Sequence, residues 1–97
     1  MHEWHEAEEH VERAHQHYEA GRWDDAASEL QKALSSNPYQ VEWHFNLGLT
    51  LDAAGRFDSA VDAFKQAHAL EPDDPQICIM LGVATLKSGK AEEALEW

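Results

Sequence analysis

The sequence predicts an all-α fold made of repeated antiparallel helix pairs, and three observations predict it. Ala-Gly-Arg-Trp-Asp-Asp-Ala-Ala at 20–27 returns as Ala-Gly-Arg-Phe-Asp-Ser-Ala-Val at 54–61 and as Ser-Gly-Lys-Ala-Glu-Glu-Ala-Leu at 88–95. Between these markers the apolar residues recur at helical spacing. Glycine and proline stand where each apolar pattern breaks. Self-similarity at a fixed period marks a chain in which each unit buries its apolar face only against its neighbours.

The phase is strict. Gly21, Gly55 and Gly89 stand 34 residues apart (55 − 21 and 89 − 55), as do Ala26, Ala60 and Ala94. Leu30/Phe64, Ala33/Ala67 and Pro38/Pro72 keep the same step. Each has a physical reason. Glycine closes the first helix of a pair because a left-handed C-cap costs a residue without Cβ little. The acids Asp24, Asp25, Asp58, Glu92 and Glu93 then fall in the first turn of the next helix, where the macrodipole favours them. Small Ala26, Ala60 and Ala94 let paired helices approach, and Pro38 and Pro72 stop the second helix.

In chain order, the first helix is expected from residue 2 or 5 to 20. Ala7, Val11, Ala14 and Tyr18 share one face, and Glu6, Glu9, Glu12 and Glu19 the other, with Arg13 in i,i+4 reach of Glu9. The second helix, 23–35, is expected to bury Ala26, Ala27, Leu30, Ala33 and Leu34 before Asn37-Pro38. The third and fourth, 41–54 and 57–70, are amphipathic and end at Glu71-Pro72-Asp73-Asp74-Pro75. The fifth, 75–88, starts with Pro75 at a favourable N1 position and Asp74 as N-cap. It is apolar nearly all round, so both its faces should be covered. A last helix over 91–97 would be short and uncapped, which suggests either a longer array or a second copy covering the open end.

In combination these residues resemble the tetratricopeptide repeat, a 34-residue helix–turn–helix module, over residues 7–97. The second copy matches most fully, with Leu47-Gly48, Gly55, Ala60, Phe64, Ala67 and Pro72 in the family pattern. The first departs, with Arg13-Ala14 for Leu-Gly and His10 where a large apolar residue is usual. In the second, Trp43 precedes the family's tryptophan position by one and His44 occupies it. The third has Leu81-Gly82, Gly89 and Ala94 before Trp97. The resemblance implies an α-solenoid, a right-handed superhelix of about two and a half to three repeats: 7–40, 41–74 and an incomplete 75–97.

It also implies a concave groove, lined by the first helix of each pair, that takes a peptide or partner helix. Its lining would be Val11, His15 and Tyr18, then Glu42, Phe45, Asn46, Leu49 and Asp52. The third repeat would add Gln76, Ile79, Met80, Val83 and Leu86. Phe45 and Leu49, like Ile79 and Val83, are four apart and stack along one helical stripe. The ligand would be apolar with basic flanks, selected by Glu42 and Asp52. The alternative is that these residues are covered by neighbouring protein. The carboxylate clamp with which some arrays of this family hold chaperone C-termini is not matched. Only Asn46 fits it, while Val11, His15, Gln76 and Met80 stand where cations or amides are needed.

Composition limits the function. With 19 acidic against 7 basic side chains the formal charge is −12, which opposes binding to nucleic acid or anionic membrane. No apolar run nears the ~20 residues of a membrane span, and the N-terminus lacks the basic and apolar regions of a secretory signal. A cytoplasmic location follows by default. The lone Cys78 has no internal disulfide partner and reads as a buried, inert thiol.

No catalytic constellation is assembled, so no enzyme and no cofactor are expected. Of the seven histidines, His2, His5 and His10 are the weak candidates for a metal-responsive site. His-Glu-Trp-His is one residue short of the His-Glu-x-x-His zinc motif, so a solvated polar face is the better reading. His10 and His44 should be packing residues with one hydrogen bond each. A homo-oligomer formed through residues 75–97 is the structural alternative to a binding scaffold.

Overall fold

A computed structural model of the chain describes the backbone of residues 2–89 and the side chains of residues 6–89. The short helix expected over 91–97 and the side chains of His2 and His5 lie outside the described residues. Five helices follow in order: α1 (His2–Glu19), α2 (Trp23–Ser36), α3 (Val41–Ala53), α4 (Phe57–Leu70) and α5 (Pro75–Lys87). Among the described residues there is no strand. The far helix ends differ from the sequence expectation by one residue at most.

The turns explain the pairing. Gly21 and Gly55 adopt φ of +76° and +78°, the left-handed conformation that glycine accepts without steric cost. The next amides close the preceding helices: Arg22 N–H donates to the His17 carbonyl at 2.8 Å and Arg56 N–H to that of Leu51 at 2.9 Å. This six-to-one bond satisfies carbonyls that a helix end would otherwise leave free. At the start of α5, the Asp74 carboxylate accepts from Gln76 N–H at 2.9 Å and Ile77 N–H at 3.2 Å, with Pro75 in the first turn. That is the cap read from the sequence.

Consecutive helices pack pairwise, α1 on α2, α2 on α3, α3 on α4 and α4 on α5, in a body 42 × 27 × 17 Å. The shortest dimension is under two helix diameters, so the core is a seam between helices. Alanines fill its tightest crossings: Ala26, Ala33, Ala60, Ala67 and Ala84 are wholly buried. The largest wholly buried side chain is Phe64. It lies where a Cβ on Gly48 would stand, 2.5 Å from its Cε1, and takes Phe45 edge-on with ring centroids 5.6 Å apart. Glycine at 48 is therefore a packing requirement, since any larger residue would displace the ring.

Polar contacts tie repeat to repeat. The Arg56 guanidinium donates twice to the Asp24 carboxylate, at 2.8 and 3.1 Å, across 32 residues of sequence. It lowers the Asp24 pKa and is itself raised, by the shared hydrogen bond first. Lys87 donates to both oxygens of Asp52 at 3.1 and 3.2 Å and stands 5.7 Å from the centre of the Phe57 ring.

Two expectations are corrected. Cys78 is half-buried, with its Sγ 3.7 Å from the Pro72 carbonyl, because it faces the α4–α5 turn instead of the seam. The second face of α5 is open among the described residues: Ile79, Val83 and Leu86 are exposed. The buried side of α5 is formed by Ile77, Leu81, Ala84 and Thr85.

Candidate peptide-binding face

The first helix of each pair presents residues to one common face, and two hollows open there. The smaller, about 180 Å³, lies between α1 and α3 and is lined by Ala14, His15, Tyr18, Leu30, Asn46, Leu49 and Thr50. Its walls are mostly apolar. The larger, about 460 Å³, lies between α3 and α5 and is lined by Val41, Glu42, Phe45, Asn46, Glu71, Asp74, Gln76 and Ile77. Its three ionisable groups are all carboxylates. Asn46 lines both hollows, so one amide, with two donors and an acceptor, stands at their junction.

Of the residues expected in the groove, the structure brings His15, Tyr18, Asn46 and Leu49 to the first hollow, and Glu42, Phe45, Asn46 and Gln76 to the second. Ile79, Met80 and Val83 line neither. Val11, Phe45, Leu49 and Met80 are partly buried against the core, so each is shared between surface and seam. Asp52 is already the partner of Lys87, with its side chain 20% exposed. Glu42, Glu71 and Asp74 are the acidic residues that line the second hollow. Tyr18 stands at the rim, its ring edge-on to Trp23 at 4.9 Å.

His10 and His44 behave as packing groups. The His44 Nε2–H donates to the Pro38 carbonyl at 2.7 Å, which fixes the tautomer, since a carbonyl can only accept. The His10 Nδ1–H donates to Glu29 Oε2 at 3.1 Å. Arg13 also lies 3.4 Å from that nitrogen, but two donors cannot bond, and its favourable neighbour is the Glu29 carboxylate at 3.7 Å. Glu29 is buried, and Lys32 reaches its other oxygen at 3.4 Å. The hydrogen bond from His10, followed by that from Lys32, holds the Glu29 carboxyl below its ordinary pKa against the opposing effect of burial. Sequence reading missed this cluster: nothing in the chain signals that a glutamate in the second helix turns inward.

Among the described residues no group of three or more His, Cys, Asp or Glu is placed to hold a metal ion. Among them, too, no helix is long and apolar enough to cross a membrane.

The fold and this face define a helix-pair solenoid built from 34-residue repeats. The sequence matches the family profile described as tetratricopeptide repeat over residues 11–75 and again over 47–97. The chain belongs to the tetratricopeptide repeat family. Among curated relatives, the cytochrome c-type biogenesis protein CycH of Bradyrhizobium diazoefficiens is 32% identical over 77 residues, 76% of this chain but 21% of that protein. Among solved structures, a mutant of MamA is 30% identical with a TM-score of 0.82, covering 93% of this chain and 66% of that one. The Yersinia enterocolitica type III secretion chaperone SycD, solved with a peptide of the translocator YopD, aligns with a TM-score of 0.79 at 22% identity. That alignment covers 90% of this chain and 66% of SycD, and its likeness concerns the fold. The chain thus spans about a fifth of CycH and about two thirds of these structures.

Proposed function

We propose that the chain is a non-enzymatic, cytoplasmic protein-interaction module that holds a peptide or partner helix along the face of α1, α3 and α5. The observation that carries this reading is the pair of hollows sharing Asn46. One is apolar and sized for a single large side chain of the ligand; the other is walled by Glu42, Glu71 and Asp74. A ligand with an apolar anchor and a neighbouring Lys or Arg satisfies both, and the Asn46 amide can bond its backbone between them. The solved SycD structure holds a peptide, which supports the capacity of such a fold to do so. Charge favours the same class of ligand, since a cationic segment approaches a −12 protein along its field.

The test must spare the core. Phe45→Glu or Leu49→Glu would strike residues that pack on Phe64 and on the core cluster, so loss of binding in such variants would be ambiguous. His15→Asp with Asn46→Ala alters an exposed and a half-buried position instead. A displayed library of random dodecapeptides, selected on the unaltered chain, is expected to yield an apolar residue next to Lys or Arg. The selected peptides should lose roughly tenfold or more in affinity on the double variant, a cost of about 1.4 kcal/mol. Equal binding to both proteins, with the double variant still helical, removes this face from consideration.

A further inference from the structure

α2 and α4 each pack on α3, and between them opens a trough of about 460 Å³. It shares no lining residue with the two hollows of the peptide-binding face. Its floor is one stripe of α3, where His44, Leu47 and Leu51 are spaced three and four apart. Gln31 and Ser35 of α2 form one wall and Ser59, Asp62 and Gln66 of α4 the other, all five exposed.

Two features set this trough apart. The first is charge. The chain carries 19 acidic and 7 basic side chains, yet Asp62 is the single Asp, Glu, Lys or Arg among the eleven residues that line the trough. The second is His44, which is only 9% exposed. Its Nε2–H is taken by the Pro38 carbonyl, so Nδ1 is a bare acceptor, and no donor among the described residues reaches it. A buried acceptor without a donor is costly, so the floor calls for an incoming N–H.

We propose that the trough seats an extended, uncharged segment of a partner protein with apolar side chains at alternate positions. The spacing fits. Leu47 and Leu51 are about 6 Å apart along the helix axis, and alternate residues of an extended chain stand about 6.6 Å apart. Two such side chains rest on these leucines, with Leu34 and Ala63 beside them. The backbone chemistry fits as well. The peptide groups of an extended segment are free to donate to His44 Nδ1 and to bond the Gln31 and Gln66 amides, which both donate and accept. A helix is the poorer occupant, because its peptide groups already bond one another. The lining offers no Lys or Arg to an acidic segment or a phosphate, and one carboxylate to a basic segment, so an uncharged one suits it best. The trough is independent of the peptide-binding reading, since no residue serves both.

The probe is the uncharged peptide acetyl-Gly-Leu-Ser-Leu-Gly-amide, titrated into the 97-residue chain and followed by the amide signals of the isotope-labelled protein. Signals of Gln31, Leu47, Ser59 and Gln66 are expected to move, while those of His15 and Asn46 on the other face stay in place. The isomer acetyl-Gly-Leu-Leu-Ser-Gly-amide should bind at least about tenfold more weakly, since only one leucine then reaches the floor. N-methylation of one of the three core amides, the one that meets His44, should also cost about tenfold. On the chain side, Gln31→Glu with Gln66→Glu replaces amide donors by charges at exposed positions where both residue types suit a helix. It should weaken binding by a similar factor while the helical circular dichroism is kept. Absence of shifts at millimolar peptide, shifts confined to the other face, or equal affinity for the two isomers overturns the proposal, as does full binding by all three N-methylated peptides. A mass that rises with concentration and falls back in Gln31→Glu/Gln66→Glu would assign the trough to a second copy of the chain, and a separate partner would then be excluded.

Discussion

α3 and α5 are two copies of one helix in different surroundings. Position for position, Phe45, Gly48 and Leu49 in α3 answer to Ile79, Gly82 and Val83 in α5. In α3 the first two grip the Phe64 ring, while in α5 the matching residues meet no such ring among the described residues. The same register that builds a core in the middle of the array builds an apolar surface at its third unit. The difference teaches that apolar patterning fixes which side of a helix wants company, and the neighbouring element decides whether it has any.

The strongest way to break this comparison is to remove the ring. Phe64→Ala should cost about 3–5 kcal/mol, seen as a large fall in the urea midpoint. A loss under about 1 kcal/mol would mean that Phe64 does not organise the seam. Next come the two glycines, whose responses should differ in sign. Gly48→Ala drives a methyl into the Phe64 ring and should destabilise by about 1–3 kcal/mol. Gly82→Ala meets no atom of the described residues and should stabilise by up to about 1 kcal/mol through helix propensity. Thermal melts of both variants decide it, and destabilisation by both would erase the contrast between α3 and α5.

Two smaller effects sharpen the picture at the other end of the array. Glu29 has its pKa lowered in the folded state by the His10 hydrogen bond. Its stabilisation is therefore present above the ordinary carboxylate value and is lost as pH falls through the lowered folded value. Glu29→Gln should be less stable than wild type near neutrality, and the gap should narrow as the solution is acidified below the ordinary glutamate range. A constant gap across acid denaturation curves would show that the carboxylate charge contributes nothing. Smallest of all, Asp24→Asn should produce a slight loss that disappears in about 1 M salt, because the Asp24–Arg56 pair is exposed.

Much of the fold was legible because it rests on local physics. Gly21, Gly55 and Gly89 marked the turns through their tolerance of positive φ, and Asp74-Pro75 marked the start of α5 through its cap. The 34-residue phase then implied that neighbours stack. The candidate site was legible only in part. His15, Asn46 and Leu49 were placed on one face by the family resemblance, but their meeting across α1 and α3 depends on the angle at which those helices pack. Asp52 read as a free acid because its partner, Lys87, is 35 residues away on another helix. Phe45 lines the second hollow and also packs edge-on against Phe64, and spacing alone does not show that a ring is shared between surface and seam.

The sequence by itself determined the helices, their caps and their repeat, since each follows from a residue's own backbone preference and from periodicity within one helix. Only the tertiary structure decided which apolar residues became core and which stayed surface. It also decided that Glu29 lies inside against His10, and that Glu42, Glu71 and Asp74 gather beside an apolar hollow. Those outcomes depend on distances between side chains far apart in the chain, and such distances are set by helix packing.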